Sequence, residues 1–353
     1  MRALSLSVLG CVLATSAFAA PPEAAPRWTL SIEAIALQRA GGASRTLVER
    51  VPGTVPFNAT FTTSGSEAFN SNQLHQGFAA GPKISLTYRY DTGWSFEASY
   101  FNTSTASASN TTGPDSPADW LVMRAPGAFW QTQDFAYQGM SWTNSSNLYS
   151  AEINARRIVS SRVTLLAGVR WLQLNDRLVG TLMPADQTAP TWKQTCPACD
   201  IFHITAGGTA GNYPPFWTTT TTNNLYGIQV GVDGKLLEDD RFSVGGILKA
   251  GVYDNNASQQ AGVSLQKIVH PASAATNRAA FVGEAGLQLK YRLDSGLTLK
   301  AGYEALWLAR VALAPAQLDQ THTSATGVVT ALGVDTSSNV LFHGVTFGLE
   351  RAF

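Results

Sequence analysis

The chain has 353 residues, with 24 Lys+Arg against 24 Asp+Glu and a formal net charge of zero. That balance gives no electrostatic case for nucleic acid, whose recognition rests on an excess of basic side chains that neutralise phosphates. Only 14% of residues are charged, while Gly alone accounts for 31 positions. Lipid-facing residues that alternate with residues facing a polar interior average to such a composition.

Residues 1–19 read as an export signal. Arg2 supplies a basic start, residues 3–14 are an apolar run, and Ala17-Phe18-Ala19 is a small-x-small cleavage site. The run is too short to span a membrane, and no later stretch reaches eighteen apolar residues. Val8-Leu9-Gly10-Cys11 is a loose lipoprotein box, but it leaves a very short apolar region and wastes the better site at Ala19. The expectation is a removed signal peptide, 1–19, and one exported domain, 20–353.

The strand pattern begins at residues 28–39, which put Glu33 on the inner face. Trp94, Phe96, Ala98 and Tyr100 oppose Ser95, Glu97 and Ser99; Tyr149, Ala151, Ile153 and Ala155 oppose Glu152, Asn154 and Arg156. Val163, Leu165, Ala167, Val169 and Trp171 oppose Thr164, Gly168 and Arg170, and the same period of two continues from Tyr226, from Phe281 and from Leu297. This is the alternation of half-apolar strands. Very tight links close four hairpins, at Asp91-Thr92-Gly93, Ser160-Ser161, Glu238-Asp239-Asp240 and Asp294-Ser295-Gly296. Long polar connections at about 40–75, 104–145, 178–222, 256–275 and 311–337 alternate strictly with them. Such asymmetry marks a transmembrane antiparallel up-and-down β-barrel with short periplasmic turns and long extracellular loops. Five loops and four turns join ten strands, with twelve as the alternative.

Two aromatic belts support a place in the cell outer membrane. Tyr149, Trp171, Tyr226, Phe281 and Trp307 share one height, and Trp28, Tyr90, Trp94, Phe242, Tyr291 and Phe353 share the other. In the last strand, Leu341, Val345, Phe347, Leu349 and Phe353 face lipid, against Gly344, Thr346, Gly348 and Glu350. A closing strand with a terminal aromatic is expected to be read by the barrel assembly machinery. Outer-membrane lipid and lipopolysaccharide are the expected surroundings, no cofactor is implied, and a homo-oligomer is left open.

Several stretches resemble the putative beta barrel porin-7 family: Leu148-Tyr-Ser-Ala-Glu-Ile-Asn154, Leu166-Ala-Gly-Val-Arg-Trp171, Asn223-Asn-Leu-Tyr-Gly-Ile-Gln-Val-Gly231, Lys249-Ala-Gly-Val-Tyr-Asp-Asn255, Gly302-Tyr-Glu-Ala-Leu-Trp307 and His343-Gly-Val-Thr-Phe-Gly-Leu349. The resemblance covers mostly the last 205 residues plus the 28–39 strand. It implies a barrel and no particular substrate or catalytic residue.

The inferred lumen holds charges in two approximate layers. Glu97, Arg156, Lys290 and Lys300 lie near the turns, and Lys83, Glu152, Arg170, Gln229, Lys249, Glu284 and Glu304 lie higher, with Glu33 on the first strand. They line either a charged constriction that selects small polar solutes or a neutralised plug. Ten strands allow at best a narrow pore, since about eight leave room only for side chains.

The 120–142 stretch carries Trp120, Phe129, Trp130, Phe135, Tyr137 and Trp142, a density that suggests a contact surface or a loop packed on itself. Cys196 and Cys199, the only cysteines after processing, are expected to form an external disulfide rather than a redox or zinc site. A rim hydrolase would need a histidine beside a serine or carboxylate. His75, His203, His270 and His322 lie in loops, His343 falls on the lipid side, and no G-x-S-x-G elbow exists. The reading is a non-enzymatic, porin-like barrel that passes or binds small solutes. Its alternatives are a closed barrel working through its loops and, behind it, a lipid or peptide hydrolase.

Overall fold

The computed structural model describes residues 27–52, 66–90, 92–113, 119–125, 128–131, 137–184, 192–194, 204–206, 216–265, 268–293, 296–323 and 329–353. The export signal, Phe135, His203 and the Cys196/Cys199 pair fall outside them.

Ten strands form the barrel, numbered here in chain order: β1 (Trp28–Ala40), β2 (Phe78–Arg89), β3 (Trp94–Asn102), β4 (Tyr137–Ile158), β5 (Val163–Pro184), β6 (Phe216–Glu238), β7 (Phe242–Leu265), β8 (Ile268–Arg292), β9 (Leu297–Val311) and β10 (Ser338–Ala352). Each pairs antiparallel with its neighbours in the chain. The ring closes where β1 pairs with β10, from Thr29 opposite Ala352 to Ala40 opposite Leu341. This is the up-and-down topology expected from the turns, with ten strands rather than twelve.

Burial runs opposite to that of a water-soluble protein. On the outer wall Ile228 is 69% exposed, Val230 63% and Leu248 58%, while their neighbours Gln229 and Lys249 are 3% and 8% exposed and point inward. Apolar side chains outside and polar ones inside are stable only when lipid surrounds the wall. Among the described residues no helix is long and apolar enough to cross a membrane; the strands do the crossing. The turns are as tight as their composition requires: Gly93 (φ +78°) and Gly296 (φ +74°) adopt the left-handed conformation that side chains with a Cβ disfavour.

The long connections differ from expectation above the membrane. A crossing takes about 9–11 tilted residues, yet β4 to β8 have 22 to 25 each. Residues 256–275, expected as a loop, are almost wholly ladder, from Asn256 opposite Asn277 to Leu265 opposite Ile268. The threonines at 218–222 likewise belong to β6, with Thr219 and Thr221 buried on its inner face. Above the bilayer water meets more of the wall, so the strands lose their apolar alternation without losing their hydrogen bonds. Residues Ala106–Thr112 continue β3 as a short strand on upper β4. A separate four-stranded sheet is built from Thr46–Pro52, Ser66–Asn70, Asp119–Ala125 and Ala128–Gln131. These additions supply strands without widening the ring.

Candidate functional site: the closed lumen

The lumen is built in layers. Lowest, next to the short turns, Arg156 on β4 lies 2.7 Å from Glu97 on β3 and also pairs with Asp233 on β6. On the opposite wall Glu350 on β10 receives Lys290 at 2.9 Å and Lys300 at 3.6 Å. Lys290 and Lys300 stand directly opposite each other in the β8–β9 ladder, a like-charge placement that Glu350 and Glu33 together neutralise. Lys300 also donates to Glu33 (2.7 Å) and Ser31 (2.8 Å).

Above this, four charges from four strands form an alternating ring. Lys249 on β7 lies 2.7 Å from Glu152 on β4 and 3.0 Å from Glu284 on β8. Arg170 on β5 lies 2.5 Å from Glu284 and 3.7 Å from Glu152 and donates to the Ser150 hydroxyl at 2.9 Å. Gln229 donates to Glu152 (2.7 Å) and Asn154 (2.8 Å), and the Tyr253 hydroxyl donates back to Gln229 (3.3 Å). Lys83 and Glu304 pair at a similar height. Two acids and two bases make a neutral ring, so desolvation is offset within the set.

Higher still the inner wall turns apolar. Ile35, Leu37, Phe101, Leu148, Leu172 and Leu306 belong to one buried cluster that also includes Leu313. Leu313 comes from neither wall. Near the end of β9 the ladder bulges at Arg310 (φ +61°), and residues 312–318 then run into the lumen, all of them buried. Their short 3-10 helix, Ala314–Gln320, begins inside this segment. Asn223 on β6 grips Ala312 as a second backbone would, donating to its carbonyl at 2.7 Å and accepting from its N–H at 2.7 Å. Thr221 donates to the same carbonyl at 3.0 Å. Asp176 on β5 accepts the Ala314 N–H at 2.8 Å while it holds Arg39 of β1 at 2.7 Å and the Asn144 amide at 3.0 Å. The segment therefore reaches from β9 across to β5 and β6 and plugs the upper lumen.

The sequence profile of the putative beta barrel porin-7 family matches residues 134–353, more than half of the chain and the part that carries strands β4 to β10. The chain belongs to that family. A comparison with curated protein sequences finds no match. Among solved structures, the outer membrane protease OmpT of Escherichia coli is similar at 10% identity and a TM-score of 0.42, covering 93% of this chain and 97% of that one. The toluene transporter TbuX of Ralstonia pickettii is similar at 10% identity and a TM-score of 0.33, covering 93% and 90%. The Pseudomonas putida toluene transporter TodX is similar at 13% identity and a TM-score of 0.32, covering 95% and 91%. Likenesses this distant say nothing of substrate.

In this porin-7 barrel the eleven charged residues singled out for the inner wall (Glu33, Lys83, Glu97, Glu152, Arg156, Arg170, Lys249, Glu284, Lys290, Lys300 and Glu304) all face inward and all take part in ion pairs. Sequence reading passed over Asp233 and Glu350, which complete the lowest layer, and Arg39, Asp176 and Asn223, which hold the plug. Their signal is register: each lies on the inward parity of its strand.

The aromatic stretch divides. Trp120 lies opposite Val51, and Phe129 and Trp130 lie opposite Arg124 and Met123, all in the separate upper sheet; Tyr137 starts β4. Trp142 is fully buried in upper β4, so it is wall packing and not an exposed contact. Of the histidines, His75 is exposed, and His343 on the outer wall meets the Tyr303 hydroxyl at 2.7 Å. Among the described residues no group of three or more His, Cys, Asp or Glu is placed to hold a metal ion.

Proposed function

We propose that this outer-membrane porin-7 barrel is a gated passage for small polar solutes that rests closed. The observation that carries the reading is the plug. Residues 312–318 are held to β5 and β6 by side-chain bonds from Asp176, Thr221 and Asn223 and not by the strand ladder. The plug can therefore leave without breaking the barrel. Beneath it the charged ring is the narrow point, and a solute passing it must exchange contacts with Arg170, Lys249, Glu152 and Glu284. Such a ring favours small polar solutes that can replace the lost ion-pair contacts, and it disfavours apolar ones. The porin-like family and the inward-facing charges support passage over catalysis, and no hydrolytic role is assigned.

Single-channel recording in a planar bilayer tests this. The wild-type barrel should be mostly silent with brief openings, and Asp176→Ala combined with Asn223→Ala should raise open time at least tenfold. In the opened barrel, Arg170→Gln should shift ion selectivity toward cations. If the double variant shows the heat-modifiable mobility of a folded barrel yet stays silent, passage is wrong. The protein would then be a closed barrel that acts through the tall β4–β8 side and the upper sheet.

A further inference from the structure

On the outside of the barrel a groove of about 1050 Å³ crosses the wall from β4 to β9. It follows one line of paired residues: Ala155 opposite Ala167, Ala167 opposite Val230, Val230 opposite Ala250, Ala250 opposite Gly283 and Gly283 opposite Trp307. Alanine and glycine recess the wall along most of this line, while the exposed Leu165 and Leu248 stand along its lower edge.

The tilt of the strands makes the line climb. At its lower end Arg157 stands three positions above Ser160, and at its upper end Trp307 stands eleven above Gly296. The difference of eight residues, at about 3.3 Å each and a tilt near 40°, is a rise of roughly 20 Å. One leaflet of hydrocarbon is only about 15 Å deep. An acyl chain anchored at the periplasmic interface therefore fits in the groove along its whole length.

The lower end carries the anchor. Arg157 lies on the outward parity of β4, in step with Ile153 and Ala155, and is exposed toward lipid. Its guanidinium donates to the Thr92 carbonyl and lies over the Trp94 ring, 5.2 Å from its centre. These two contacts fix its position without neutralising it, and among the described residues no carboxylate pairs with it. Trp94 belongs to the periplasmic aromatic belt, which marks the headgroup level of the bilayer. A held, uncompensated guanidinium at that level presents a planar donor fork that suits phosphate oxygens. Arg351 is a second exposed cation on the lipid side of this rim, between Leu30 and Leu297, but it lies outside the groove.

We infer that the groove binds one anionic phospholipid of the periplasmic leaflet, with its phosphate on Arg157 and an acyl chain along the alanine line. A zwitterionic headgroup brings its own ammonium toward the guanidinium, whereas an anionic one does not, so net headgroup charge sets the preference. The groove is on the outer wall, and the inference is independent of whether the lumen opens.

The test uses the barrel refolded into vesicles of phosphatidylcholine mixed with phosphatidylglycerol, with folding checked by heat-modifiable mobility and retained lipid read by native mass spectrometry. The wild type should keep one phosphatidylglycerol severalfold over phosphatidylcholine. Arg157→Gln should lose most of that preference, and Arg157→Lys, which keeps the charge without the fork, should retain part of it. Ala167→Phe fills the groove while leaving Arg157 in place, and should also lower retention severalfold. Arg351→Gln should match the wild type. Equal retention of the two lipids by the wild type, or undiminished preference in folded Arg157→Gln, overturns the proposal. Undiminished retention in Ala167→Phe overturns it too, since the charge would then act without the groove. So does a second barrel retained in place of lipid. Should Arg157→Gln fail to fold, Ala167→Phe, whose new side chain faces lipid, decides alone.

Discussion

In the lower lumen Glu152, Arg170, Lys249 and Glu284 each project from a different strand, so the ladder that makes the wall also fixes the closure. In the upper lumen the closure is a piece of chain, residues 312–318, which the wall grips through Asp176, Thr221 and Asn223. The two closures fail differently. Ring charges share one low-dielectric space, and removing one leaves its partners buried without compensation. Plug contacts are individually modest hydrogen bonds to backbone groups. A ring tied to the wall suits a permanent narrow point, while a plug held by side chains suits a movable one.

The largest effect should come from breaking the ring. Glu284→Ala strands both Arg170 and Lys249 and is expected to cost about 3–5 kcal/mol in refolding stability, measured by urea titration in vesicles. Replacing Glu284 and Lys249 together should cost less than the sum of the single changes, because the pair leaves as a unit. An additive result would mean that the ring does not act as one set.

Next comes the plug. Asn223→Ala removes both bonds to Ala312 and is expected to cost about 1–3 kcal/mol for the buried groups left unpaired. Its larger signature is kinetic: opening in bilayer recordings and faster proteolysis within 312–337, with the rest of the barrel resistant. If Asn223→Ala destabilises the whole barrel as much as Glu284→Ala, the contrast between wall and plug collapses.

The same contrast explains what could be read in advance. Where lipid lies outside and polar groups inside, each strand alternates, so Ile228 against Gln229 or Leu248 against Lys249 announces its face. Pairing across the lumen is another matter. Glu284 and Arg170 are 114 positions apart, and only the closed ring brings them together. Above the membrane the signal fades, because water reaches more of the wall: residues 256–275 read as loop although they are ladder. The plug had no periodicity to betray it, since Ala312, Leu313, Ala314 and Pro315 belong to no strand. The clue nearest to it was Asn223, whose amide reproduces the donor and acceptor of a peptide group.

Turns should matter less than either closure. Gly296→Ala forces a side chain into the left-handed conformation at φ +74° and is expected to cost about 1–2 kcal/mol. That loss should appear in the unfolding midpoint, with no change in open time, since the turn touches neither ring nor plug. A change in gating would show that the lower rim and the plug are coupled.

The smallest effect is expected on the outer wall. Tyr303→Phe deletes the hydroxyl that meets His343 at 2.7 Å, on the face opposite to Glu304 and the lumen. Side-chain hydrogen bonds within membranes average about 0.6 kcal/mol, because alternative partners remain available when the bond is lost. The variant should therefore refold with nearly unchanged stability and the same channel record as the wild type. A clear shift in open time would mean that the outer wall transmits strain to the lumen through β9, which carries Tyr303 and Glu304 on opposite faces and leads directly into the plug. The movable element would then be the strand together with its plug.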